Sequence, residues 1–258
     1  MSTIRFDIED GVARITLNRP DRLNAFDGPT ARLLQARLDE CASLHEVRAV
    51  LLTGAGKAFS AGQDLAEVSD PQGPPMSTIL SEHYNPVVRK IRAMPKPVIA
   101  AVNGVAAGAG ANIALCCDVV VAARSATFIQ AFARIGLIPD SGGTWTLPRL
   151  VGWQKASALM MLGDKVDADE AERLGMVYQV LPDEGFNEAA MTLARRLATM
   201  PTHALALTKH ALQEGLSNDL DTQLALEDRL QQAAALTYDY REGVKAFLAK
   251  RKPVFRGA

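Results

Sequence analysis

Three short segments of this sequence carry residue types that can do chemistry. Two are glycine-rich turns, Phe59-Ser-Ala61-Gly62-Gln63-Asp64-Leu65 and Asn103-Gly-Val-Ala-Ala-Gly108-Ala109-Gly110. Small residues let another molecule approach the backbone closely. A helix that starts at such a turn offers unpaired N–H groups and the positive end of its dipole. Two turns of this kind, each following a strand of one sheet, can aim amides at a single carbonyl oxygen and stabilise an enolate. The third segment is Gly136-Leu-Ile-Pro139-Asp140-Ser-Gly142-Gly143-Thr144. Here Asp140 is either a partly desolvated acid/base beside a carbonyl α-carbon or a plain N-cap for a helix over 142–150. Taken singly, each glycine-rich turn is better explained by tight helix–sheet packing alone.

Other chemistries are excluded by what surrounds their partial signals. Gly54-Ala-Gly56-Lys57 is followed by Ala58 rather than Ser or Thr, so it is not a phosphate loop. Gly108-Ala-Gly110 has Ile113 where a dinucleotide fingerprint needs its third glycine. There is no Gly-x-Ser-x-Gly elbow. The four histidines, His45, His83, His203 and His210, form no i,i+4 metal pair and read as surface or helix-end residues. Cys116 and Cys117 read as core fillers, and three cysteines make no disulfide framework, which suits a reducing cytosol. Lys and Arg total 28 against 29 Asp and Glu, so the basic excess of a general nucleic-acid binder is missing. The N-terminus lacks the apolar core of a signal peptide. Residues 97–123 are interrupted by Asn103, Asn112 and Asp118, so no membrane span is expected and a cytoplasmic protein is.

The elements that must position these segments follow from periodicity. Ile4, Phe6 and Ile8 alternate with polar residues up to Asp10-Gly11, and Val12 to Leu17 returns, which predicts a hairpin. Helices are predicted over 29–44, 77–94 and 108–115, and strands over 47–53, 97–102 and 118–122. Residues 69–75 read as a polar loop. From 183 onward, 186–200, 202–217, 219–235 and 239–250 all read as helices. The pattern is an α/β core followed by helices.

These segments together resemble the crotonase, or enoyl-CoA hydratase/isomerase, family. Ala61-Gly-Gln-Asp-Leu65, Asn103 to Gly110 and Gly136 to Gly143 look like its motifs. Ile15-Thr-Leu-Asn-Arg-Pro20 and Glu242 to Pro253 also fit, so the likeness runs the whole chain in order. The resemblance implies a spiral of ββα units with a core over 1–200 and a helical oligomerisation region over 201–258. It implies a trimer or a dimer of trimers, with no nucleic-acid or membrane partner. The substrate would be an acyl-CoA, with coenzyme A part of the substrate and no separate cofactor or metal. Its thioester oxygen would be held by the backbone N–H groups of Gln63 and Ala109.

Family hydratases carry two glutamates, and Asn112 and Phe132 stand in their places here. Fold alone does not settle function. The remaining carboxylate, Asp140, sits where several family isomerases place a catalytic aspartate, which implies proton transfer within one substrate. Three segments, Tyr84 to Arg89, Gly136 to Trp145 and Asp239 to Arg251, look like members that isomerise a ring epoxide on a phenylacetyl thioester. Phe132, Tyr84 and Ile138 would form an apolar wall, with Ala61 and Leu65 beside them, and Asp64 would brace its loop. Arg22 and Lys250 are candidates for the coenzyme A phosphates. The rival readings are a hydratase using water held by Asp140, a thioester hydrolase or dehalogenase, and a non-catalytic CoA- or RNA-binding protein.

Overall fold

The computed structural model describes residues 2–258. β1 (Ile4–Glu9) and β2 (Val12–Leu17) form the expected antiparallel hairpin, with Asp10 and Gly11 at φ 51° and 77°. β2 then pairs in parallel with β3 (Ala49–Gly54), β3 with β5 (Val98–Val102), β5 with β7 (Val119–Ala123), and β7 with β10 (Gln179–Leu181). β3, β5 and β7 are buried almost end to end, so they read as unbroken apolar runs rather than alternating ones.

A second sheet has the order β4 (Ala58–Ser60), β6 (Val105–Ala107), β8 (Thr127–Ile129), β9 (Lys165–Asp167). Each long strand of the first sheet hands over within a few residues to a short strand of the second, β3 to β4, β5 to β6 and β7 to β8. A helical piece follows each pair, so the chain winds as the expected spiral of ββα units. Periodicity in the sequence places the two glycine turns after the strands at 47–53 and 97–102. They instead follow β4 and β6, whose three residues are too few to show a periodicity.

The helices are α1 (Gly28–Ser43), α2 (Leu65–Ser69), α3 (Met76–Thr78), α4 (Asn85–Ala93), α5 (Ala109–Leu115), α6 (Gly143–Val151), α7 (Trp153–Leu162) and α8 (Ala168–Arg173). The single helix expected over 77–94 is broken by a π turn at Ile79–Tyr84, a feature often found at functional sites. That turn buries His83, which is 2% exposed with Nε2 2.9 Å from Arg32 Nη1, so this histidine is not a surface residue. Cys116 and Cys117 are buried, as expected.

α9 (Phe186–Ala198) packs on the large sheet, and α10 (Thr202–Glu214), α11 (Leu220–Ala235) and α12 (Tyr238–Leu248) follow. α10 is pinned to the core by Lys209, whose Nζ donates to Asp118 Oδ2 at 2.8 Å and to the Ile91 carbonyl at 2.7 Å. Among the described residues no helix is long and apolar enough to cross a membrane.

Candidate active site

The first glycine turn is held from below by a chain of hydrogen bonds. Buried Asn24 donates to the carbonyls of Ala55 at 2.9 Å and Ala58 at 2.7 Å. Ser60 Oγ donates to the Asn24 carbonyl at 2.9 Å and accepts the Gly62 amide at 3.1 Å. Phe26 then brackets the turn: its N–H donates to the Gly62 carbonyl at 2.7 Å, and its carbonyl accepts the Asp64 amide at 2.8 Å. Backbone groups alternate in direction along an extended segment. The Gln63 N–H therefore faces away from Phe26, and it has no acceptor among the described residues.

The second turn lies directly against the first. Gly62 has φ +88°, and a Cβ there would meet the Ala107 carbonyl oxygen at 2.7 Å and the Ala109 nitrogen at 3.2 Å. Only glycine fits such a contact at that backbone angle. Ala109 is the first residue of α5, so its N–H has no intrahelical acceptor, and no other acceptor reaches it among the described residues. The two free amides belong to residues lining one cavity of about 250 Å³, which Asp140 also lines.

Asp140 does not cap a helix. The N-cap of α6 is Gly142, and no side chain caps it. The Asp140 carboxylate accepts a hydrogen bond from the Ser141 side chain, Oγ at 2.9 Å. Ser141 itself holds φ +50°, an uncommon angle for a residue other than glycine and one that such sites often store. Burial pushes the Asp140 carboxyl up to about 6, with the Ser141 bond and a backbone amide opposing it. Its main chain is clamped from behind by buried Asn112, whose Nδ2 donates to the Asp140 carbonyl at 2.8 Å while Oδ1 accepts from Gln130 Nε2 at 2.8 Å.

Asp64 shows the opposite electrostatics. Burial pushes its carboxyl up, but the Arg19 hydrogen bond at 2.8 Å, the Ala66 amide and the charge of Arg22 outweigh this and hold it below the usual carboxylate range. Its hydrogen bonds tie the loop to Arg19 and Ala66, and it is not among the residues lining the cavity. The two carboxyls are thus pushed in opposite directions by their surroundings.

The other candidates divide. Ala61, Leu65 and Phe132 line the cavity with Gln63, Ala109 and Asp140. Tyr84 and Ile138 do not, contrary to the expected wall. Tyr84 is 1% exposed behind the lining, its ring edge-on to Phe26 at 6.2 Å. Ile138 is 82% exposed and turned outward, while its neighbour Leu137 faces in. Arg22 and Lys250 are exposed and lie outside the cavity lining. Arg134 and Ile135 complete the wall. They sit on the 3-10 turn Ala131–Ile135, too short to announce which face it buries. Among the described residues, no group of three or more His, Cys, Asp or Glu side chains is placed to hold a metal ion. A larger groove of about 710 Å³ runs beside β1 and β2, but there Arg14 and Asp7 pair with each other at 2.9 Å.

The chain resembles known proteins along nearly its whole length. The family model for enoyl-CoA hydratase/isomerase matches residues 7–258. The chain is 50% identical to the 1,2-epoxyphenylacetyl-CoA isomerase of Escherichia coli, covering 100% of this chain and 99% of that protein. It is 48% identical to a probable enoyl-CoA hydratase of Rhodobacter capsulatus, covering 99% and 98%. Among solved structures, a putative enoyl-CoA hydratase/isomerase from Mycobacterium abscessus superposes with a TM-score of 0.94 at 38% identity, covering 99% of this chain and 100% of that one.

A buried carboxylate of this kind has a measurable effect on stability. Unfolded, Asp140 ionises near 3.8; folded, near 6. Between those values the folded chain holds the extra proton, so this group's contribution to stability falls as pH rises through the window and is fully lost above it. Asp140→Asn should therefore melt roughly 2–4 °C above the parent at pH 7.5, the shift expected for about 1 kcal/mol in a chain of this size. The difference should shrink as pH falls towards 4. A scan showing no gain at pH 7.5, or a gain independent of pH, would contradict the assignment.

Proposed function

Since the chain belongs to the enoyl-CoA hydratase/isomerase family, we propose that it is an acyl-CoA isomerase acting on 2-(1,2-epoxy-1,2-dihydrophenyl)acetyl-CoA in phenylacetate breakdown. The product is the conjugated oxepin thioester. The observation that carries this reading is that Asp140 is the one carboxylate lining the cavity among the described residues. Asn112, in the place of one hydratase glutamate, is engaged in holding the Asp140 peptide, and Phe132, in the place of the other, is apolar wall. A single carboxylate suits a proton removed from one carbon and returned to another.

The chemistry balances without any oxidant or water. Opening the carbon–carbon bond shared by the epoxide and the six-membered ring gives a seven-membered ether with a double bond β,γ to the thioester. Asp140 takes a proton from the α-carbon, and the electron pair spreads onto the thioester oxygen, held by the Gln63 and Ala109 amides. The carboxylic acid so formed returns the proton to the γ-carbon and leaves the α,β-conjugated product. The same parts shift a plain β,γ-enoyl-CoA to its α,β isomer. Leu212, Leu224, Leu236, Phe247 and Leu248, between 52% and 83% exposed, support a trimer or a dimer of trimers in which α10 to α12 are covered.

Each part of this reading has its own test. Asp140→Asn should lower isomerase turnover about 10²- to 10⁴-fold with acyl-CoA binding nearly unchanged. The parent's kcat/KM should rise with pH to a plateau above about 6, where the base is ionised. Crotonyl-CoA hydration should be negligible beside isomerisation, and comparable rates would reinstate the hydratase. Ala109→Pro removes one amide donor at a helix position that accepts proline, so turnover should drop about 10²- to 10³-fold in a folded protein. Turnover within a few-fold of the parent would leave Ala109 out of the mechanism. Light scattering should give three or six times the chain mass; a fully active monomer would refute the assembly.

A further inference from the structure

Side chains adjacent in sequence do not ordinarily meet. In a strand they point to opposite faces, and on a helix neighbours in space are three or four residues apart. Asp140 and Ser141 are an exception, with Ser141 Oγ donating to Asp140 Oδ1 at 2.9 Å. The backbone permits it. Ser141 has φ +50° and Gly142 φ +75°, so two consecutive residues are left-handed just before α6 begins. Glycine adopts that region freely and other residues do so at a cost. The turn therefore favours glycine at both positions and has it at one. Ser141 is 1% exposed, so its hydroxyl gains nothing from solvent, and packing alone would be served as well by glycine.

The main chain that aims this hydroxyl is held on both sides. The Asp140 carbonyl accepts from Asn112 Nδ2 at 2.8 Å and from the Gly143 amide at 2.8 Å. The Ser141 carbonyl lies 3.5 Å from Cys116 Sγ, and a Cβ at position 142 would meet that sulfur at 3.3 Å. Among the described residues no other side chain donates to the Asp140 carboxylate. The titratable groups nearby do not take the hydroxyl's place. Burial, and then the charge of Asp140, pushes the Tyr84 phenol above its ordinary range, and burial likewise pushes the Cys116 thiol up. Arg134, which also lines the cavity, donates from Nη2 to the Gly163 carbonyl at 2.7 Å.

We infer that Ser141 is a positioning residue for the proton transfer, its hydroxyl, aimed by the left-handed turn, fixing the rotation of the Asp140 carboxyl. This rests on the reading of Asp140 as the base. A carboxylate free to rotate about its last bond has neither oxygen in line with the substrate carbon for part of the time, and the hydrogen bond removes that freedom. The same bond favours the charged form of Asp140 and so opposes burial.

Two variants separate the hydroxyl from the backbone. Ser141→Ala removes the hydroxyl and keeps the strained φ, whereas Ser141→Gly removes the hydroxyl and relieves the strain. Neither adds bulk, and thermal melts check that each is folded. In both, kcat should fall about tenfold with KM within about twofold of the parent. The acidic limb of kcat/KM should move up by about one pH unit in both, because the lost bond favoured the carboxylate. A limb that stays at the parent's position in both variants would overturn the inference. So would a limb that moves in Ser141→Ala alone, since the backbone and not the hydroxyl would then be responsible. Failure of the base assignment shows differently: Asp140→Asn then keeps its turnover, whatever the Ser141 variants do.

Discussion

The Ala107 carbonyl stands where a Gly62 side chain would be, and that contact governs the rest of the site. With the turns pressed together, the amides of Gln63 and Ala109 come to one cavity without any side chain having to reach. Everything beneath serves to keep the first turn there. Asn24 and Ser60 hold its start, Phe26 brackets its middle, and Arg19 fixes its end through Asp64. A pair of fixed dipoles needs no reorganisation when charge develops on an oxygen between them, which is what makes such an arrangement effective.

Against that neutral, rigid device stands one group the fold keeps at a disadvantage. Asp64 lies among cations and amides and stays ionised. Asp140 lies against apolar wall with one hydroxyl for company, and its charged form is disfavoured. The same residue type is thus pushed in opposite directions by its surroundings alone. The strained backbone at Ser141, next in sequence, belongs to the same pattern of local sacrifice at a working site.

Much of this was legible in the sequence, for a physical reason. Tight backbone contacts and left-handed turns demand glycine, so Gly62, Gly108 and the Gly142-Gly143 pair mark the three site segments openly. The long buried strands and the late helices were equally plain. What escaped reading was whatever lacks a period. Strands of three residues cannot show alternation, which hid the second sheet. In the irregular run 136–140 no phase tells that Leu137 faces in and Ile138 out. The π turn shifts the helical phase midway through a helix, so Tyr84 and His83 were given the wrong surroundings. The absence of carboxylates at 112 and 132 could be read, but the clamp that Asn112 forms needed the third dimension.

Helix α5 has only seven residues, and it touches both halves of the site. Its first residue, Ala109, carries one free amide, and three residues on, Asn112 grips the peptide of Asp140. The rise along that stretch is about 4.5 Å, set by helical geometry and not by side-chain choice. α5 therefore acts as a gauge block between the free Ala109 amide and the peptide of Asp140. A neighbour that pushes the helix by a few tenths of an ångström carries both ends along and leaves their spacing intact. Substitutions in the packing around α5 can accumulate without changing the distance between the two, whereas inserting or deleting one residue within 109–112 cannot be absorbed anywhere else.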